Sequence, residues 1–76
     1  MFLLSRNQLA EAIVHLRKAV ALVPNSADAH SNLGGALVNA GKLDEGLQHI
    51  RRALELRPDH ELARQNLAIL ERRGKR

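Results

Sequence analysis

LAEAIVHLRKAVALVP at residues 9–24 and LDEGLQHIRRALELRP at residues 43–58 carry one pattern twice. A shift of 34 residues lays Leu9 on Leu43, Glu11 on Glu45, His15 on His49, Arg17 on Arg51, Ala19 on Ala53, Leu22 on Leu56 and Pro24 on Pro58. The register continues past the prolines, pairing Ala29 with Ala63, Asn32 with Asn66 and Leu33 with Leu67. A period of this size marks a stack of like units, each hiding its apolar face on its neighbours.

Each period is punctuated as two helices. After Pro24, Asn25 or Ser26 offers a cap and Asp28 a favourable charge in the first turn, and Ala29, Leu33, Ala36, Leu37 and Ala40 then follow at helical spacing. Gly41 suits the left-handed turn that ends this helix, expected over 27–40. A second helix over 43–56 has Leu43, Leu47, Ile50, Ala53, Leu54 and Leu56 as its apolar stripe, Asp44 and Glu45 at its start and Pro58 as its stop. In the first copy Asn7 stands where Gly41 stands, which predicts a left-handed turn at Asn7 and a helix over 9–22. The third copy starts with Asp59 as its cap and runs as a helix over 61–73. The layout is a partial repeat (1–26), a complete repeat (27–60) and a first helix acting as cap (61–76).

Length and composition agree with this reading. A chain of 76 residues is one small domain, burying roughly 60% of the surface its unfolded form exposes. There is no Cys to staple it. The apolar 45% is mostly Leu and Ala, with one Phe and neither Tyr nor Trp, a composition for helices rather than sheets. The expected fold class is all-α. Glu11, His15, Arg17 and Lys18 interrupt the richest apolar stretch, so no membrane span is expected. Residues 1–6 lack the basic leader and long apolar core of a signal peptide, and a cytoplasmic setting is the expectation. Met1 suits a true start, with a piece cut from a longer array as the other reading.

At 34 residues per helix pair the chain resembles the tetratricopeptide repeat family, through His30, Leu33-Gly34, Leu37, Gly46, Ile50, Ala53 and Pro58 in the complete copy and Ala12, Leu16, Ala19 and Pro24 in the first. His30, Leu37 and Ile50 replace the aromatics of the family's template. The resemblance implies an α-solenoid of antiparallel helix pairs whose first helices line a concave groove for an extended peptide or a partner helix. In arrays of the O-linked N-acetylglucosamine transferase type, an Asn before the Leu-Gly pair contacts the ligand backbone. Asn32 and Asn66 occupy that position here, and a primary amide both donates and accepts, so it pairs with any peptide unit. The same faces carry Asp28, Ser31, Gly35, Val38 and Asn39 in one copy and Leu62, Gln65, Ile69, Arg72 and Arg73 in the next. Asp28 and Ser31 stand where a carboxylate clamp would need bases.

Other chemistry finds little footing in the sequence. His15 and His49 recur with the repeat and no two histidines lie at i, i+4, so neither a metal site nor a cofactor is expected, and no catalytic constellation can be assembled. The chain reads as a non-enzyme. The net charge of +4 is mild, and the basic tail Arg72, Arg73, Lys75, Arg76 has no aromatic beside it for base stacking, so nucleic acid is not expected. The expected partner is a protein or peptide.

Self-assembly is the competing reading. The helix over 9–22 lacks its own first helix, which points to Phe2, Leu3, Leu4, Leu9, Ile13, Leu16 and Val20 as a homodimer interface. At the other end Glu71 falls where the complete copy has Leu37. It is expected in solvent, with Ala63, Leu67 and Leu70 packed back on the preceding helix.

Overall fold

The computed structural model describes residues 5–74, which form four helices: α1 (Arg6–Leu22), α2 (Ala27–Asn39), α3 (Leu43–Leu56) and α4 (Glu61–Gly74). Short links fold each helix back on the one before it. α2 packs on α1 and α3, α4 packs on α3, and α4 also reaches α2 directly. α1 joins α3 only at the surface, through an ion pair between Arg17 and Glu45.

The helix ends follow local chemistry. Ser26 Oγ accepts from Ala29 N–H at 3.1 Å and starts α2. Its end is a complete Schellman closure, with Lys42 N–H on the Leu37 carbonyl at 2.8 Å, Gly41 N–H on the Val38 carbonyl at 3.0 Å, and Gly41 at φ +83°. α3 has no side-chain cap, but Asp44 and Glu45 meet the exposed N–H groups of its first turn.

Two expected ends move. Asn7 is not a turn residue: it lies inside α1, because Ser5 and Gln8 close a reciprocal capping box, at 3.2 and 3.0 Å, that starts the helix at Arg6. Among the described residues only Gly41 has positive φ. Asp59 is not the cap of α4 either. His60 holds that place, the register mate of Ser26, and its ring Nδ1 accepts from Ala63 N–H at 3.2 Å.

The apolar stripes meet in two clusters. Ala27, Val38, Ile50, Ala53, Ala63 and Leu70 join α2, α3 and α4, with Leu43, Leu47, Leu54, Leu56 and Leu67 packed around them. Ile13, Leu33 and Leu37 join α1 to α2, with Leu9, Leu16, Val20 and Ala36 at the edge. α2 and α3 cross closely because a Cβ on Gly34 would lie 2.7 Å from Ile50 Cγ1 and 3.0 Å from the Gly46 carbonyl. At the C-terminal end Glu71 is exposed, while Ala63, Leu67 and Leu70 pack back as the register requires. Among the described residues no helix is long and apolar enough to cross a membrane.

Candidate functional site: a groove across α1, α2 and α4

An open groove of about 390 Å³ runs across the first helices of the two repeats. Its floor is α2, through Ser31, Asn32, Gly35, Val38 and Asn39. One wall is α4, through Leu62, Asn66, Ile69 and Arg73, and the other is α1, through Leu9, Ala12 and Leu16. Helical spacing explains the α2 and α4 sets: 32, 35 and 39 fall on one face, as do 62, 66, 69 and 73.

The polar groups of the groove are poorly satisfied from within. Neither the Asn32 nor the Asn66 amide has a side-chain hydrogen bond among the described residues. Asn66 lies against α2, its Nδ2 3.0 Å from where a Cβ on Gly35 would be. The Ser31 hydroxyl is fully buried and has no partner among the described residues. Arg73 reaches the exposed end of α2, where its Nη1 donates to the Val38 carbonyl at 3.4 Å. Leu62 and Ile69 are large apolar side chains left open on the α4 wall.

Three residues expected in the groove do not line it. Asp28 turns to the N-terminus of α4, accepting from His60 Nε2 at 2.6 Å with Arg57 Nη1 at 4.0 Å. Gln65 donates to Glu61 on its own helix, and Arg72 projects from the last turn of α4 into solvent. The α1 wall is the part that sequence reasoning missed. Leu9 and Leu16 were assigned there to a dimer interface, and only their distance in sequence from Asn32 hid their place beside it.

The assignment of Ile13 is corrected too. It is 8% exposed, packed with Leu33 and Leu37, so α2 already covers it, with Leu9, Leu16 and Val20 partly covered. Such a helix carries two apolar faces. Leu9, Ile13 and Val20 match Leu43, Leu47 and Leu54, part of the α3 stripe that meets α4 at Leu67 and Leu70. Among the described residues no helix is laid over the other face, Ala12, Leu16 and Ala19, where Leu16 meets only the edge of the α2 cluster, and it continues to Leu22 and Val23, which are 82% and 55% exposed. Phe2, Leu3 and Leu4 lie outside the described residues.

Two of the four histidines, His30 and His49, distant in sequence, meet in space. His30 Nε2 lies 2.7 Å from the Pro24 carbonyl, and His30 Nδ1 lies 3.1 Å from His49 Nδ1. Burial, followed by the neighbouring His30, pushes the His49 imidazole below its ordinary value. On the surface, the Arg17 guanidinium holds the Glu45 carboxyl below the usual carboxylate range. Among the described residues no three His, Cys, Asp or Glu side chains converge to hold a metal ion.

Comparison with known families bears on what this groove is. A TPR repeat model matches residues 3–41, and a tetratricopeptide repeat model matches residues 27–60, the unit formed by α2 and α3. The chain belongs to the tetratricopeptide repeat family. The four helices form a helical-repeat solenoid, and such repeats generally mediate protein–protein interaction and are typically non-catalytic. No match is found among curated proteins or among solved structures. In this tetratricopeptide array the groove lies on the first helices of successive repeats, α2 and α4.

Proposed function

We propose that the chain is an interaction module that holds an extended peptide in the groove of α1, α2 and α4. The supporting observation is the pair of unpartnered amides, Asn32 and Asn66, one repeat apart on facing helices. Two amides aimed at one channel suit a ligand whose repeating feature is its own backbone. An extended peptide sends alternate side chains to opposite sides. Both walls carry apolar side chains, Leu9 and Leu16 on one side and Leu62 and Ile69 on the other, so apolar residues are favoured at both alternations. Arg73 at one end favours an acidic group there. In this reading residues 1–26 are a partial repeat, 27–60 the complete one, and 61–76 a terminal helix that closes the array.

A panel of extended peptides, varied in apolar and acidic content, tests this by fluorescence anisotropy. Each amide contributes on the order of 1 kcal/mol, so Asn32→Ala with Asn66→Ala weakens binding about tenfold or more and leaves the melting temperature unchanged. Unchanged affinity in the double variant removes the groove from consideration.

The uncovered face of α1 favours a second reading, self-association. Ala12, Leu16, Ala19, Leu22 and Val23 form the surface that a first helix would cover, and a second copy in a dimer would cover it instead. Light scattering at about 100 μM, above the roughly micromolar affinity of a modest apolar interface, decides it: a monomeric mass ends this reading.

A further inference from the structure

His30 ties three elements together, and its partners dictate where its hydrogen sits. The Pro24 carbonyl only accepts, so His30 Nε2 carries the hydrogen in the 2.7 Å contact. A neutral ring then presents a bare Nδ1, and His49 Nδ1, 3.1 Å away, is the donor to it. The ring centroids are 5.3 Å apart and the planes are inclined by 24°. With the two nitrogens in contact, that separation belongs to rings meeting edge to edge rather than face to face. The N–H of one therefore points along the lone pair of the other. Of the four nitrogens of these two rings, His49 Nε2 is the one without a partner among the described residues.

We propose that the His30–His49 contact is a proton-operated latch: beyond the one hydrogen on each neutral ring the folded array accommodates at most one added proton on this pair, so acid loosens the α2–α3 joint and with it the groove. A first proton enters at His49 Nε2 and breaks nothing. A second must sit on His30 Nδ1, where it faces the His49 Nδ1–H across 3.1 Å and sets two like charges side by side. Separation of the rings relieves both problems. It also frees His30, whose bond to Pro24 fixes the α1–α2 link on α2.

The surroundings do not neutralise this. On α3, Glu45 lies one turn before His49 and favours its charged form, but α1 supplies Arg17, ion-paired to that same carboxylate and opposing it. Arg52, one turn after His49, is bonded to Asn25 of the link and to Glu55. Asp28, two residues before His30, is turned to His60 of α4 and to Arg57. No carboxylate is hydrogen-bonded to either ring among the described residues.

The sign follows from proton counting. His49 is held below its ordinary value by burial and by His30, so as pH falls below about 6.5 the unfolded chain takes up protons that the folded chain refuses. Stability is full above that pH and is lost as pH falls through it. Each proton of difference lowers the folding constant about tenfold per pH unit.

The test uses the intact chain in urea unfolding from about pH 8 to about pH 5, with His49→Asn beside the wild type. Asparagine keeps an N–H for His30 Nδ1 and cannot titrate. The expected result is a steep acid loss in the wild type and a shallower one in the variant, smaller by about one proton. A wild-type stability that is flat across this range, or an equal acid slope in both proteins, overturns the latch. Ring nitrogen chemical shifts at neutral pH give a readout that needs no variant. Hydrogens on His30 Nε2 and His49 Nδ1 support it, and any other tautomer pair overturns it. The effect on ligand rests on the groove reading above and is measured separately, as peptide affinity at the two pH extremes. Peptide bound near pH 8 and released near pH 5 by the wild type, but retained by His49→Asn, supports the link to the groove. Equal release by both proteins overturns it. No peptide binding near pH 8 overturns the groove reading alone, leaving the unfolding and tautomer results to decide the latch.

Discussion

Leu16 and Ile50 occupy one position in two copies of a single pattern, and their surroundings differ completely. Ile50 has no exposed surface, and beside it the mutual approach of Gly34 and Gly46 brings α2 onto α3. Leu16 is half-open on the groove wall, and the face it shares with Ala12 and Ala19 runs out to an exposed Leu22. The local sequence is nearly the same in both places. What differs is the helix laid across it: α3 has α2 on this face, while no described helix lies on the corresponding face of α1. The worth of an apolar residue in a repeat is therefore set by the neighbour its unit receives.

Alanine at the two positions puts that to the sharpest test. Ile50→Ala removes a sealed side chain with nothing free to collapse into the space, and costs about 2–5 kcal/mol in urea unfolding. Leu16→Ala, at a surface already half wet, costs less than half as much, roughly 1 kcal/mol. Equal losses would mean that α1 is covered as fully as α3.

At the next pair of register mates the preference between glycine and alanine reverses. Gly34→Ala drives a methyl into Ile50 and the Gly46 backbone and destabilises by about 1–3 kcal/mol, despite the helix-favouring change. At the register mate on exposed α4, Ala68→Gly removes a methyl that touches no following helix and costs about 1 kcal/mol through backbone freedom alone. Thermal melts of both variants check it.

A smaller effect separates the two cap positions. His60→Ala loses both the bond from Ala63 N–H and the bond to Asp28 and costs about 2 kcal/mol, whereas His60→Ser restores only a hydroxyl cap of the Ser26 kind and recovers about 1 kcal/mol of that loss. Amide exchange in the first turn of α4 reads the difference directly. Smallest of all is Glu71→Leu, within about 0.5 kcal/mol because the side chain is exposed. Its signature is in solution mass: a leucine there extends an apolar patch and promotes association on sedimentation. A variant that gains stability as a monomer would show that α4 is not a closing helix.

Much of the architecture was legible because it is periodic. The 34-residue register, Pro24 and Pro58, Gly41 and the leucine stripes fix four helices, their order and most of their buried faces, since each depends on residues within a turn or two along the chain. The groove was legible in part for the same reason. Helical spacing alone puts Asn32, Gly35 and Asn39 on one face and Leu62, Asn66, Ile69 and Arg73 on another. Where the reading slipped, a local competitor had been overlooked, as when the Ser5–Gln8 box drew Asn7 into α1, or when His60 rather than Asp59 took the cap.

Contacts between distant positions needed the folded chain. That α1 supplies the far wall of the groove, that Asp28 leaves it for His60, and that His30 meets His49 edge to edge all join residues far apart in sequence. Periodicity says which face a residue takes but not which of two neighbouring helices comes to that face, nor how closely. The sequence by itself determined the repeat, its helices and their apolar sides, because those follow from spacing and backbone chemistry. Which sides were covered, and which polar groups were left without partners, was decided by tertiary packing, because helix approach is set jointly by side chains from both helices.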